Sequence, residues 1–404
     1  MIKNPVSIIF IVTTFISGLS TALVFPLTSL YLVDAIGCSP LEMGVFLVVM
    51  VLSSVIASMY LGKKSDTHWS RSAILSAAQI SFFIGVVILA FTRDYYIALV
   101  AAIVFLSVGG AALPQIFTLG RLYADKELNN NSAQFLSVMR AGIALAWVVG
   151  PPIAFLLKEQ LGFTATFVCS GLLALSMLLL ISYLPDHSKF VADQPSSNDE
   201  PVQNAQHWLL IPGVALFLLS TLAMFSANNM YITALPIYLT KELTYSAQWA
   251  GYLMGMAAFI EIPFMVLAGS LANRIGTMRL LVIGVAAGIL YYSGLLVLTN
   301  IWQLLALQLF NGIFIAITAS LGMIVMQDLM RNQMGLGTTL FSSAQQLSML
   351  VGSLCVGLIA QYFDYHTVFL GSLVASILAL IVLLGVMLRT SQQKKQLTDL
   401  QASP

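Results

Sequence analysis

The chain alternates long apolar segments with short polar ones. Each apolar segment has about 20 residues or more, which is the length that a helix needs to cross the hydrocarbon core of a bilayer. Strands of a membrane barrel need only about ten residues with alternating polarity, so the pattern argues against a barrel. It predicts an all-α integral membrane protein with twelve transmembrane helices. The predicted helices are residues 7–33, 41–62, 73–92, 95–120, 133–157, 163–184, 208–239, 247–272, 280–298, 303–327, 337–360 and 367–388.

The first apolar segment is too long to be the hydrophobic region of a signal peptide. No charged residue occurs between Lys3 and Asp34, which leaves 30 consecutive uncharged residues. The corresponding region of a signal peptide has about 7–15 residues. The segment is therefore predicted to be the first membrane span.

One polar stretch, residues 185–207, divides the chain near its middle. It contains five charged residues and three prolines and has no apolar run. Such a composition cannot bury itself and is typical of a surface linker. We expect an N-terminal six-helix half at 1–184, a linker at 185–207, a C-terminal half at 208–388 and a tail at 389–404.

The loops predict the orientation of the chain. With twelve spans both termini lie on one side of the membrane, and thirteen Lys and Arg residues fall on that side against three on the other. The thirteen are Lys3, Lys63, Lys64, Arg71, Arg121, Lys126, Lys189, Arg274, Arg279, Arg331, Arg389, Lys394 and Lys395. The three are Arg93, Lys158 and Lys241. Because positive loops stay in the cytoplasm, both termini and the linker are expected there.

Composition narrows the function further. Hydrophobic residues make up 59% and charged residues 8% of the chain, and the net charge of +1 gives no reason to expect a nucleic-acid partner. The three cysteines lie far apart, and the four histidines fall in loops or at helix ends, so neither a metal site nor a nucleophilic site is suggested. No phosphate-binding Gly-Lys loop is present. We expect no enzyme, cofactor or metal.

An internal repeat links the two halves. Residues 62–71 read Gly-Lys-Lys-Ser-Asp-Thr-His-Trp-Ser-Arg, and residues 269–279 read Gly-Ser-Leu-Ala-Asn-Arg-Ile-Gly-Thr-Met-Arg, 207 positions later. Both resemble the loop signature Gly-x-x-x-Asp-Arg-x-Gly-Arg of the major facilitator superfamily, although Asn273 replaces Asp in the second copy. Residues 146–152, Ala-Trp-Val-Val-Gly-Pro-Pro, resemble the Gly-Pro motif of exporters in that superfamily.

The superfamily resemblance implies two parallel, pseudo-symmetric six-helix halves and a latch on the cytoplasmic side. The residues at the matching loop positions are Asp66, Arg71 and Arg274. Asp328 and Arg331 lie at the cytoplasmic end of the tenth helix and are candidates for a further gate pair, although a charge at the membrane interface is the more ordinary interpretation of Asp328.

A closer resemblance runs along most of the chain. The segments 112–115, 137–141, 146–152, 229–231, 261–263, 307–311, 327–330 and 338–341 are similar to the SET group of bacterial sugar efflux transporters. This resemblance implies export of sugars or glycosides across the bacterial inner membrane, in exchange for protons. We expect a monomer. A multidrug exporter of the same superfamily and a non-transporting membrane sensor remain alternatives.

Glu261 is the candidate for proton coupling. It lies about halfway along the eighth predicted helix, and charged residues inside membrane spans are rare and costly. An apolar environment favours the neutral form of a carboxyl, which would let Glu261 exchange a proton under physiological conditions. A structural carboxyl that is always protonated or always paired is the alternative.

Arg140 and Trp147 share one face of the fifth predicted helix. Arg140 cannot lose its proton, so it must face a cavity, a carboxylate or backbone carbonyls. Trp147 could stack on a sugar ring while Arg140 donates hydrogen bonds to hydroxyls. Alternatively, Arg140 extends to the cytoplasmic interface and Trp147 faces lipid or the core.

Uncharged polar side chains form a second group of substrate-binding candidates. Amides and hydroxyls both donate and accept hydrogen bonds, which suits a neutral polyol. The same groups can instead join neighbouring helices. The candidates are Gln115, Asn229, Tyr231, Gln308, Asn311 and Gln345.

Overall fold

A computed structural model describes residues 4–65, 69–128, 132–184, 209 and 211–401. Nearly all of these residues are helical, and none of them is in a strand. The helices that match single predicted spans are α1 (Pro5–Ile36), α2 (Pro40–Ser65), α3 (Arg71–Phe91), α4 (Tyr95–Glu127), α7 (Val214–Glu242), α8 (Gln248–Ile275), α9 (Thr277–Val297), α10 (Ile301–Leu329), α11 (Met334–Tyr362) and α12 (Tyr365–Gln401).

The fifth and sixth spans form one helical stretch, Ser132–Ser182, that is broken at Gly162. Gly162 has φ 82° and ψ 175°, a conformation that favours glycine and that no helix contains. An unbroken helix of 51 residues would be about 75 Å long, more than twice the thickness of the hydrocarbon core. We therefore describe residues 132–161 as α5 and residues 163–182 as α6.

Twelve helices at the predicted places are confirmed in the part of the chain that the structure describes, although α7 begins at Val214 rather than at residue 208. Several helices continue beyond the predicted ends, because hydropathy marks where a segment leaves the hydrocarbon rather than where its backbone stops being helical. The backbone of α12 stays helical to Gln401, well past residue 388. The predicted linker at 185–207 lies outside the described residues.

The helices pack into two compact units. Unit 1 comprises Met1–Asn198 together with Leu235–Gly255, and unit 2 comprises Asp199–Ala234 together with Met256–Pro404. The loop between α7 and α8 and the helical turns beside it therefore pack with the first six helices. The remaining parts of α7 and α8 pack with α9 to α12.

Unit 1 is built around α1, which packs extensively against α5 and α6. At one end of this contact the rings of Phe10 and Tyr123 stack with centroids 5.3 Å apart, and Phe135 meets Phe10 edge-on. The hydroxyl groups of Ser7 and Tyr123 are 3.1 Å apart and share a hydrogen bond. This cluster joins α1, α4 and α5.

In unit 2, α9 lies against both α10 and α12. Glycines on α9 permit its close approach to α10. A Cβ added to Gly284 would lie 2.7 Å from the side chain of Ile317, and one added to Gly288 would lie 2.7 Å from Phe314. Only a residue without a side chain allows this spacing, which is usual for helices packed in membranes.

The outer faces of the helices are strongly apolar. Met59 is 71% exposed, Val266 is 76% exposed and Val297 is 78% exposed. Exposed hydrocarbon on helix after helix would be unfavourable in water but suits a protein surrounded by lipid. Eleven helical segments of the described chain are long and apolar enough to cross a membrane. One of these segments contains both α5 and α6, which are separated by the break at Gly162.

α1 and α7 end in the same unusual way. Each finishes in a five-residue π-helix, Leu32–Ile36 in α1 and Tyr238–Glu242 in α7. A left-handed residue follows in both, Gly37 with φ 81° and Thr244 with φ 57°, and these two residues are 207 positions apart. In both helices the backbone N–H of the next residue donates to the carbonyl six residues before it, at 2.9 and 2.8 Å. The internal repeat therefore extends to the backbone conformation.

Candidate functional site

Glu261 lies at the middle of the 28-residue helix α8 and is half-buried. Pro263 follows two residues later and has no N–H to donate to the carbonyl of Phe259, so the helix lacks one backbone hydrogen bond beside the carboxyl. Within unit 2, none of the described residues donates a hydrogen bond to Glu261 or forms an ion pair with it. The described part of unit 2 thus supplies no partner for this carboxyl inside the membrane.

Arg140 and Trp147 belong to unit 1 and lie on one face of α5. Arg140 is exposed, and no described residue of unit 1 forms an ion pair or a hydrogen bond with its guanidinium. Trp147 is half-buried, and its ring meets Phe25 of α1 edge-on with centroids 6.2 Å apart. Both side chains therefore retain surface that is not covered within their own unit.

The same face of α5 continues into a tight contact with the first turns of α8. A Cβ added to Gly251 would lie 2.7 Å from the carbonyl oxygen of Pro151. One added to Gly255 would lie 2.6 Å from the ring of Pro152 and 2.9 Å from the carbonyl oxygen of Val148. Glycines at these two positions let α8 contact the backbone of α5 directly.

A cluster of buried tyrosine and amide side chains joins α7, α9 and α10. The Tyr231 hydroxyl and the Asn311 amide both donate to Gln308 Oε1, at 3.3 and 2.9 Å. Gln308 Nε2 donates to the Tyr291 hydroxyl at 3.1 Å. The rings of Tyr231 and Tyr291 meet edge-on, and Tyr292 packs beside Tyr291. We call these five residues the tyrosine–amide cluster.

Two polar atoms of the tyrosine–amide cluster have no hydrogen-bond partner in the described structure: Asn311 Oδ1 and the Tyr292 hydroxyl. Gln308 and Asn311 have no exposed surface, and Tyr231 is 1% exposed. In this structure the three candidates interact with one another, so a direct role in substrate binding would require the cluster to open.

Asn229 and Gln345 have different surroundings in unit 2. Asn229 Nδ2 donates to the carbonyl of Met349 at 2.8 Å and so joins α7 to α11. Its Oδ1 accepts a hydrogen bond from Thr233 at 3.3 Å. Gln345 is half-buried on α11, and no described residue forms a hydrogen bond with its side chain. The side-chain amide of Gln345 therefore has hydrogen-bonding capacity that no described residue uses.

Gln115 lies with the predicted latch rather than with the other amides. Arg71 donates to Ser65 Oγ at 3.0 Å and to Gln115 Oε1 at 3.4 Å, and Gln115 Nε2 donates to the same Ser65 oxygen at 3.4 Å. These bonds connect the end of α2, the start of α3 and the interior of α4. Asp66 is outside the described residues.

The other latch candidates are in unit 2. Arg274 is exposed near the end of α8. Arg331 and Asp328 form an ion pair with 3.6 Å between nitrogen and oxygen, and their side chains are 75% and 53% exposed. Exposed pairs of this kind contribute little to stability.

An ion pair that the sequence analysis did not propose joins the ends of α1 and α7. Lys241 Nζ lies 2.6 Å from Asp34 Oδ1, within unit 1. Each residue lies inside its π-helix, and the two are 207 positions apart, the spacing of the loop repeat. The offset between Asp34 and Lys241 equals the offset between the two loop motifs, and this was the signal in the sequence that could have revealed the pair.

The arrangement defines a multi-pass membrane protein. Apolar helices surround polar and charged side chains that lie well inside the spans, and no group of three or more potential metal ligands occurs among the described residues.

Comparison with known proteins identifies the family. The family model described as Major Facilitator Superfamily matches residues 10–301 and 217–403. "Sugar efflux transporter A" of Escherichia coli (strain K12) is 36% identical over 93% of this chain and 95% of its own length. "Sugar efflux transporter B" of Salmonella typhimurium (strain LT2) is 32% identical over 90% of this chain and 91% of its own. The chain belongs to the Major Facilitator Superfamily, and its relatives place it in the SET group.

A solved structure shows the same fold. The crystal structure of the nucleoside transporter NupG has a TM-score of 0.77 and covers 95% of this chain and 98% of its own, at 12% sequence identity. The predicted fold class is thereby confirmed, and the relatives described above confirm the resemblance to the SET group. Because members of the superfamily are transporters, the expectation that the chain is not an enzyme is also confirmed.

Proposed function

We propose that this protein exports sugars or glycosides from the cytoplasm in exchange for protons. Residues 1–184 and 208–388 would act as two six-helix halves, joined by residues 185–207, that expose a binding site to one side of the membrane at a time. The protein would act as a monomer in the inner membrane with both termini in the cytoplasm. The similarity to proteins named sugar efflux transporters supports the choice of substrate.

The observation that supports the proton coupling is the carboxyl of Glu261 in the middle of α8, which has no partner among the described residues of unit 2. A carboxylate without a partner inside a membrane is costly, and protonation removes that cost. Glu261 would bind a proton from outside and release it to the cytoplasm when sugar binds. Coupling requires that each ligand favour a different conformation, because equal binding to both conformations shifts nothing.

The candidates for sugar recognition can be divided by their surroundings. Trp147, Arg140 and Gln345 have side-chain surface that is not used within their units, so they would contact the sugar first. The buried candidates Gln115, Asn229, Tyr231, Gln308 and Asn311 would take part as the helices move. Asp66, Arg71, Arg274, Asp328 and Arg331 would hold the cytoplasmic side closed in part of the cycle.

Transport by purified protein in liposomes tests the proposal. We expect labelled lactose or methyl β-D-thiogalactoside to move against its gradient when a pH gradient is imposed, with protons moving in the opposite direction. Glu261→Gln should abolish this gradient-driven movement and keep sugar exchange, because the amide cannot carry a proton. Glu159→Gln, at an exposed position near the end of α5, is the matched control and should transport as the wild type does.

Three other outcomes would contradict the proposal. Uphill transport by Glu261→Gln would exclude Glu261 from proton coupling. Sugar flux that ignores the pH gradient would indicate a facilitator without coupling. Flux of cationic or amphipathic drugs, with none of sugars, would make the protein a multidrug exporter.

A further inference from the structure

A small cavity lies inside unit 1, between α1, α3 and α4, and its mostly apolar wall carries a few polar side chains. Its volume is about 50 Å³, and the polar side chains in its lining are those of Ser17, Ser20, Thr21 and Gln79. The lining contains three hydroxyls and one amide but no charged side chain. The cavity is therefore suited to a neutral, hydrogen-bonding group and not to an ion such as phosphate or ammonium.

Two of the lining side chains have unused hydrogen-bonding capacity. Gln79 and Ser17 are each 3% exposed, and neither side chain forms a hydrogen bond with any residue that the structure describes. Thr21 Oγ1 donates to the carbonyls of Gly18 and Ser17, which leaves its own lone pairs available as acceptors. Ser20, by contrast, is already bonded to Ser170.

The backbone of α4 is irregular at the cavity. A π-helical segment, Ala102–Leu106, is followed by a turn at Gly110 and Ala111, where the helix resumes in a new register. Because Pro114 has no N–H, the carbonyl of Gly110 lacks the donor that a continuous helix would supply. A side chain on Gly110 would meet the hydroxyl of Ser54 of α2, which would have to rotate away.

These unpaired groups require a polar occupant. A buried amide without a partner is costly in any apolar surrounding, and a membrane protein has no water in the hydrocarbon to supply one. A water molecule needs about 10–15 Å³ of such space, so the cavity has room for a few waters or for the hydroxyl end of a larger molecule. It is too small for a whole sugar ring.

We propose that this cavity is a subsite for one hydroxyl or hydroxymethyl group of the transported molecule, and that Gln79 selects for that group. In this arrangement Gln79 both donates to and accepts from the hydroxyl, Ser17 and Thr21 supply the remaining partners, and water fills the cavity when no substrate is bound. The inference rests on the proposed export of sugars and adds a residue that determines which sugar is preferred.

The test compares a sugar with derivatives that each lack one hydroxyl. In liposomes, unlabelled monodeoxy derivatives of methyl β-D-thiogalactoside, or of lactose if that is the sugar transported, compete with the labelled parent compound. The wild type should discriminate against one derivative. Gln79→Ala should weaken binding of the parent about tenfold, the value of one good hydrogen bond, and should no longer discriminate against that derivative.

Matched variants separate this role from a structural one. Gln346→Ala removes the same side chain at an exposed position on α11 and should leave every affinity unchanged. If Gln79→Ala does not fold, Ser17→Ala and Gln79→Asn serve in its place, and each should affect the same hydroxyl. A structural role for Gln79 would weaken all the derivatives equally.

The outcomes distinguish this inference from the proposed function. If the wild type moves no sugar, the proposed function fails and the inference fails with it. If the wild type transports sugar and all Gln79 and Ser17 variants rank the derivatives as the wild type does, the cavity holds only water and this inference alone is overturned.

Discussion

Glu261, Gln79 and Gln308 are polar side chains in apolar helices, yet their surroundings differ. Gln308 is bonded within the tyrosine–amide cluster, whereas Glu261 and Gln79 have no partner among the described residues of their units. An unpaired polar group in the membrane is costly, so such positions are the ones where a ligand or a proton would be gained. Residue type marks candidates, and their surroundings distinguish a structural contact from a binding site.

The tyrosine–amide cluster allows a test of this distinction. Gln308→Leu would leave the polar groups of Tyr231, Tyr291 and Asn311 without their partner. We therefore expect the free energy of unfolding to fall by about 1–3 kcal/mol. Tyr292→Phe removes a hydroxyl that has no partner and should cost almost nothing. Thermal unfolding of the purified proteins in detergent measures both changes, and equal losses of stability would contradict the assignment.

The close contact of α8 with α5 gives a second prediction. Gly251→Ala places a methyl group 2.7 Å from the carbonyl oxygen of Pro151 and should destabilise the protein by about 1–3 kcal/mol. Gly269→Ala, on the same helix, meets nothing within 4 Å and should be neutral or slightly stabilising. The midpoint of thermal unfolding checks both variants. A Gly251→Ala protein as stable as the wild type would show that the helices can separate without cost.

At the scale of the element, the ends of α1 and α7 are the clearest product of the internal repeat. The two π-helices have the same length, and a left-handed residue follows each of them. Asp34 and Lys241, which carry opposite charges, both lie three residues before that left-handed residue. Because both residues lie in π-helical backbone, an acidic or a basic side chain at either position should reach its partner in nearly the same way. A duplicated element has thus acquired complementary charges.

This equivalence predicts that the two charges can be exchanged. Asp34→Lys alone places two cations side by side and should loosen the α1 end from the α7 end, whereas the double variant Asp34→Lys with Lys241→Asp should restore the contact. Cys38, at the neighbouring turn, is the reporter because it is 8% exposed and burial raises the pKa of its thiol to about 11.

The reporter should respond in a defined direction. At neutral pH the buried thiol is almost entirely protonated, so a membrane-impermeant maleimide should react slowly with the wild type. Exposure brings the pKa back towards its usual value, so we expect labelling several-fold faster in Asp34→Lys, with the wild-type rate in the double variant. Cys169→Ser and Cys355→Ser form the common background. Equal rates in all three proteins would show that the ion pair does not hold these ends together.

At the scale of the whole molecule, the distribution of charge predicts how the protein sits in the membrane. Thirteen Lys and Arg residues against three favour cytoplasmic termini. Alkaline phosphatase fused after Asn300, between α9 and α10, should therefore be exported and active. The same enzyme fused after Arg279, near the start of α9, should remain in the cytoplasm and be inactive. The opposite pattern of activities would reverse the orientation.

Much of the architecture could be predicted from the sequence, for a physical reason. A span must be apolar over about 20 residues whatever surrounds it, so the number of helices and their approximate limits follow from composition alone. Glu261 and Arg140 could be selected in the same way, because any ionised side chain within a span is an exception. The 207-residue repeat and the motif at 146–152 could also be recognised in the sequence.

Partners were decided only by the tertiary structure, because they depend on which helices are neighbours. Gln115 carried the same signal as Gln308, yet it lies with Arg71, while Gln308 lies with Tyr291. The break of α4 beside Gln79 could not be read from hydropathy either, since a π-helix and an α-helix have equally apolar sequences. The sequence by itself thus determined which segments enter the membrane and which residues are out of place there. The packing of the helices determined which of those residues form hydrogen bonds with a neighbouring helix and which form none within the described part of their unit.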